Sequence, residues 1–233
     1  MKLAIMQPYL FPYLGYFQLM NAVDIFVFHN DIQYIKGGYI NRNRILDQNL
    51  GAVWITLPLK KASAYDAINT RMLCDPNDKK KLLRQIENTY RKAPFFHDTI
   101  ELLTEIILFE ELNLFKYIEN SIHILSAYLK MKTQFLKSED MKLGSLKAQE
   151  RVLEICQVCE AIDYINPIGG VELYDKAAFH AAGINLSFLK MNDVRYKQFD
   201  TGSFIPYLSI IDVMMFNAFT DVKKFVLCNY DLI

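Results

Sequence analysis

Two short apolar runs, residues 3–7 and 24–28, flank a brief helical pattern at 15–22, and no other feature of the chain restricts its fold as tightly. The second run, Asp-Ile-Phe-Val-Phe, is apolar at both alternating positions, which suits a strand covered on both faces. Strand, helix and strand within about 28 residues form a crossover, hence a parallel pair of right-handed sense. The alternation returns late in the chain, where 133–136, 163–166 and 185–190 read as strands and 145–160 and 171–182 as helices. A further strand is expected at 54–59, with Pro58 near its end, and the last helix within 204–219. The expected architecture is an α/β fold with a mostly parallel sheet, Rossmann-like and three-layered.

The middle of the chain follows a different period. Segment 77–90 is a charged helix, 99–108 an apolar one, and 112–129 repeats Phe115, Ile118, Ile122, Leu125 and Leu129 on one face. Residues 77–130 therefore read as a helical segment packed on the sheet, inside a single α/β domain of 1–233. The segment carries no polar motif, so its expected role is support.

Charge and cysteine usage narrow the function. Lys+Arg and Asp+Glu number 26 each, so no broad basic surface exists for nucleic acid. The first five residues resemble a signal peptide only until Pro8, Pro12 and Asp24 interrupt them, and no run reaches the ~18 uncharged apolar residues of a membrane helix. A cytoplasmic protein without membrane insertion is expected. Cys156 and Cys159 have a redox or zinc spacing, but they share an apolar helix face with Ala148, Val152 and Ile155, and no second pair exists. They read as core packing, and no metal site is assigned.

In open parallel sheets ligands bind beyond the carboxyl ends of the strands. The expected strand ends supply Gln7 and Tyr9, then His29, Asp31 and Gln33, then Asn166, Gly169 and Gly170, then Lys190, Asn192, Asp193, Tyr196 and Gln198. The loop in "MQPYLFPYLGYFQL" (6–19) would be stiffened by Pro8 and Pro12, bring Gln7 to a ligand, and offer Tyr9 or Tyr13 for stacking. In "IKGGYINRNRI" (35–45), an extended backbone puts Arg42 and Arg44 on one face with Cα atoms roughly 6.5–7 Å apart. That spacing can clamp a diphosphate, or a phosphate and a carboxylate, with Lys36 as a third cation. Asn41 and Asn43 fall on the other face. His29 and Asp31 are the candidates for proton transfer. Ser209 and Asp212, in the stretch 202–217, either belong to a helix start or point into the site. Gly-x-Gly-x-x-Gly, the phosphate loop, Gly-x-Ser-x-Gly and His-Glu-x-x-His are all absent, which disfavours the binding and hydrolytic chemistries built on them.

The two motifs above, with "YINPIGGVELYD", "YKQF" and "FIPYLSIIDVMMFN", occur in an order that resembles the WbqC-like family of bacterial proteins. The family's pattern matches here at Gln7, Pro8, Gly15, Asp31, Lys36, Asn41, Arg42, Asn43, Arg44, Gly169, Gly170, Tyr174, Gln198, Ser209 and Asp212. Its members are similar to proteins found with O-antigen and capsule genes. The resemblance thus implies a transferase of surface-polysaccharide (lipopolysaccharide or capsule) biosynthesis, acting on a nucleotide-linked amino sugar or a small activated acid, by N-acyl or aminoacyl transfer. The implied partner is a phosphorylated or nucleotide-linked small molecule; no cofactor is identified, and a homodimer is an admissible assembly. Two alternatives stand beside this: a nucleotidyl- or adenylyl-transfer enzyme, and a non-catalytic binding subunit of a polysaccharide assembly complex. Many relatives look like Tyr-Asp-Asp or Leu-Asp-Asp where this chain has His29-Asn30-Asp31, so a paired-carboxylate metal site is disfavoured.

Overall fold

A computed structural model describes residues 1–47, 51–199 and 203–233; Gly202, in the last motif stretch, lies outside them. The first unit is β1 (Lys2–Met6), α1 (Leu14–Asn21) and β2 (Ile25–Phe28). β1 and β2 pair in parallel, Leu3 opposite Ile25 through Met6 opposite Phe28. The later strands are β5 (Gln134–Lys137), β6 (Asp163–Pro167), β7 (Asn185–Met191) and β8 (Tyr230–Leu232). They complete a six-stranded sheet in the order β5-β2-β1-β6-β7-β8. Only β8 runs antiparallel, against β7. The order reverses direction between β1 and β6, which makes that gap the switch point of a Rossmann-like sheet.

The continuous apolar runs arise because both faces are covered. Ala4, Phe26, Phe28, Ile165 and Leu189 belong to one core, with α1 and most of the remaining helices. Leu3, Ile5, Ile25, Val27 and Tyr164 belong to the other, with α5 (Ala148–Val158) and α6 (Lys176–Ala181). Successive residues of each strand thus alternate between the two cores. Cys156 and Cys159 are buried free thiols in the second core, and burial pushes Cys156 up to about 12, so it packs as an uncharged thiol.

The helical segment comprises α2 (Pro76–Tyr90), α3 (Phe96–Leu108) and α4 (Leu114–Tyr128). Asp75 caps α2 by accepting from the Asn77 N–H at 2.8 Å, with Pro76 in the first turn. Asn113 caps α4 through the Lys116 N–H at 3.0 Å.

Three details differ from the sequence reading. The strand expected at 54–59 is β4 (Gly51–Thr56), and it leaves the main sheet to form an antiparallel ribbon with β3 (Arg42–Asp47). The helix expected at 171–182 is split into a 3₁₀ turn, Ile168–Leu173, and α6, because Asp175 caps the second piece through the Ala177 N–H at 2.9 Å. After α7 (Ile210–Phe216) the chain adds α8 (Phe219–Cys228) and β8, neither of which was expected. Among the described residues no helix is long and apolar enough to cross a membrane.

Candidate functional site

Beyond the carboxyl ends of β1 and β6 lies a cavity of about 420 Å³. Gln7, Tyr9, His29, Gly169, Gly170 and Tyr174 line it, together with Asn166 and Gln149. Six expected site residues from three separate stretches of sequence therefore meet at the switch point. Several of the lining residues are held by hydrogen bonds to neighbours. The Tyr16 hydroxyl donates to the Gln7 carbonyl at 3.0 Å. The His29 N–H donates to the Met6 carbonyl at 2.9 Å, which fixes the exit of β2 beside that of β1. Gly170 is required by its neighbour, since a Cβ there would stand 2.0 Å from the Asn166 amide nitrogen. The Gln149 side chain accepts from the Asp175 N–H at 2.6 Å and joins the start of α5 to the entry of α6.

Behind His29 sits an ion pair that sequence reasoning missed. Arg151 is buried, its Nη2 lies 2.5 Å from Asp31 Oδ2, and its Nε donates to His29 Nε2 at 2.9 Å. The Ser138 hydroxyl donates to the other Asp31 oxygen at 2.5 Å. Burial pushes the Asp31 carboxyl up, but the Ser138 and Arg151 hydrogen bonds and the guanidinium charge outweigh it and hold the group below its ordinary value. His29 goes the same way for different reasons: burial first, then the Arg151 charge, lower it to about 4 against a weaker upward pull from Asp31. The ring is neutral near pH 7, with Nε2 accepting, so its proton sits on Nδ1. In this state His29 has a donor to offer the cavity, while its accepting nitrogen is occupied.

Two further cavities adjoin this one. Met6, Tyr9, Pro167 and Gly169 are shared with a space of about 470 Å³ lined also by Tyr13, Tyr39, Tyr207 and Lys190. Burial, then the neighbouring phenols, raise Tyr13 to about 12, so its hydroxyl remains a donor. Gln7 and Ile32 are shared with a space lined by Gln33, Lys36 and Asn41.

Most of the other expected residues are held by contacts within the protein, and Asn41 and Asn43 also line the adjoining cavities. Arg42 stacks over the Trp54 ring at 4.1 Å, and its guanidinium donates to the Gly37 and Gly38 carbonyls, the latter at 3.1 Å. It shapes the turn next to Lys36. Arg44 is half-buried with its Nε lacking a hydrogen-bond partner, and it lines none of the three cavities. Asn41 accepts from the Tyr34 hydroxyl at 2.6 Å and donates to the Leu57 carbonyl at 2.8 Å. Asn43 donates to the Leu10 and Phe11 carbonyls, and the Ser209 hydroxyl donates to the Phe11 carbonyl at 2.7 Å while accepting from the Ile211 N–H. These two residues clamp the loop that follows β1. Gln198 donates to Asp212 and to the Ile205 carbonyl; Asp212 also accepts from Tyr90 at 2.7 Å and Tyr196 at 2.6 Å. Asn192, Asp193 and Tyr196 line a fourth cavity, which shares Tyr13, Met191 and Tyr207 with the second.

The sequence carried only a slight trace of Arg151. It stands three residues after Ala148 and four before Ile155, so a charge borders the apolar stripe of its helix.

The profile of the WbqC-like protein family matches residues 7–224. The chain is also similar to the uncharacterized protein Rv1507c of Mycobacterium tuberculosis (strain ATCC 25618 / H37Rv), 31% identical over 220 residues, which span 93% of this chain and 94% of that protein. No solved structure matches the chain significantly.

Proposed function

The chain belongs to the WbqC-like protein family, and from its site we propose a transferase that acylates or aminoacylates the amine of a nucleotide-linked amino sugar in surface-polysaccharide biosynthesis. The observation that carries this reading is the neutral His29 at the switch point, locked by Arg151 beside Gln7, Asn166 and Tyr174. Acyl transfer needs a donor aimed at the oxygen where negative charge develops, and a neutral imidazole can fill that role. The amine nitrogen attacks the activated carbonyl carbon as a C–N bond forms. The leaving group departs with its bonding pair, and the amine proton passes to solvent. His29 Nδ1–H would donate to the carbonyl oxygen, while Gln7 and Asn166 orient the two reactants. Asp31 acts here as a positioning residue, since both its oxygens are engaged in holding Arg151 and Ser138. Tyr9, Tyr13 and Tyr39 offer faces on which a base or sugar ring can stack.

The test is a thermal-shift panel of UDP- and dTDP-amino sugars, CoA thioesters, ATP, CTP and free amino acids, followed by product analysis of the pairs that bind. A ligand at about 100 times its Kd adds ~2.7 kcal/mol, roughly 5–11 °C for a domain of this size. Shifts with a sugar nucleotide and an acyl donor, and an acylated product, are expected. Shifts confined to ATP or CTP would replace this reading with nucleotidyl transfer.

A further inference from the structure

The third cavity, about 970 Å³, is bordered by Lys36, Lys60, Lys61 and Arg71, and no acidic residue lines it. In a chain whose charges balance at 26 and 26, this is a local excess of cation. Among the described residues Lys36, Lys60 and Lys61 make no ion pair. Asp66 stands behind the lining, 3.9 Å from Arg71, and its carboxylate accepts from the Ser63 N–H at 3.1 Å.

Arg71 makes the wall a built one. It is 7% exposed, and its guanidinium lies over the Tyr34 ring at 4.9 Å. It donates to the Ser63 carbonyl at 3.2 Å and the Lys60 carbonyl at 3.4 Å, so it fixes the backbone that presents Lys60 and Lys61. The Lys60 N–H is tied in turn to the Met72 carbonyl at 2.9 Å. Arg71 Nε is buried with no hydrogen-bond partner, in a side chain that lines the cavity. Arg42, which lines none of the three cavities, gives its guanidinium to the Gly37 and Gly38 carbonyls.

We infer that this cavity is a diphosphate subsite, formed by Lys36, Lys60 and Lys61 with Arg71 in the same wall. Its place follows from Gln7 and Ile32, which line both this cavity and the one at the switch point. A diphosphate held here would direct whatever is esterified to it across Gln7 toward His29. The inference rests on the transferase reading for the rest of the substrate, and on the local charge alone for the anion.

The experiment is calorimetric titration of the full chain with inorganic pyrophosphate, UDP and UMP at two salt concentrations. Lys36→Ala and the double variant Lys60→Ala/Lys61→Ala are compared with Lys224→Ala on α8; all four lysines are exposed, so the variants should fold. Pyrophosphate and UDP should bind more tightly than UMP, and both should weaken about tenfold or more, with a flatter salt dependence, in the cavity variants alone. UDP binding more tightly than pyrophosphate identifies a nucleotide-linked diphosphate; equal affinity identifies a free one, and either supports the subsite. No pyrophosphate binding by the wild type, or affinity unchanged in the cavity variants, overturns it. Acyl transfer that proceeds normally in those variants overturns the subsite and leaves the transferase standing. Lysine-dependent pyrophosphate binding without any transfer does the reverse.

Discussion

At the scale of single residues, His29 makes the site sensitive to pH. Its folded value of about 4 lies below the ordinary 6.5, so the unfolded chain takes up the proton first as pH falls. The stability supplied by the neutral ring is complete above about pH 6.5 and is lost as pH drops through about 4, a span worth about 3 kcal/mol. Asp31, also held low, works in the same direction. Urea unfolding at pH 7.0 and 4.5 should show this loss, and His29→Gln, which stays neutral, should show a smaller one. Gly170→Ala tests a contact rather than a charge. The added Cβ must displace the Asn166 amide, so ligand affinity should fall about tenfold, an effect of 1–2 kcal/mol. A Gly170→Ala protein that binds as the wild type does would remove Asn166 from the site. The polar lining of the cavity, Gln149 apart, was legible residue by residue, because strand ends in a parallel sheet expose whatever follows them. Arg151 was not, because a charge on a helix reads as solvated until Asp31, far away in sequence, is brought against it.

Elements are joined by a clasp around Asp212. Tyr90 of α2 donates to it from its hydroxyl, and the same oxygen accepts from the Leu46 N–H of β3 at 3.1 Å. Burial pushes the Asp212 carboxyl up despite the donors from Tyr196, Tyr90 and Gln198. Three pieces of chain, the helical segment, the ribbon and α7, therefore share one buried polar centre. Tyr90→Phe leaves Leu46 and Asp212 each short of a partner and should cost about 1–3 kcal/mol, lowering Tm by roughly 2–12 °C. Pyrophosphate affinity should not change, which separates framework from site. The clasp explains why "FIPYLSIIDVMMFN" looked like a site motif: closely spaced polar residues in an apolar helix mark a fixed internal junction as readily as a ligand contact. The ribbon was harder to read. Arg42 and Arg44 showed the right alternation, but alternation alone does not say which sheet a strand joins.

Across the whole molecule, the parallel core was readable because burial on both faces leaves continuous apolar runs. The carboxyl-terminal elements left weaker traces. In α8 only Val222 and Val226 are buried, and β8 is three residues long, too short for a period. They are nevertheless integral. The buried Gln18 amide donates to the Phe225 and Asn229 carbonyls at 2.8 and 3.0 Å, and β8 pairs with Leu189, Lys190 and Met191. Deleting residues 218–233 should abolish the cooperative thermal transition, with loss of the near-ultraviolet dichroism, whereas a truncated chain that melts cooperatively would show α8 and β8 to be dispensable. The central place of β1 has a consequence for synthesis. One of its edges is paired by β2, about 20 positions away, but the other waits for β6, about 160 positions downstream. At about 5–20 residues per second, that open edge stands unpaired for roughly 8–32 s on each ribosome. An apolar strand edge exposed for so long is an aggregation hazard that the finished molecule no longer shows, and the yield of soluble protein should depend on elongation rate and chaperone supply.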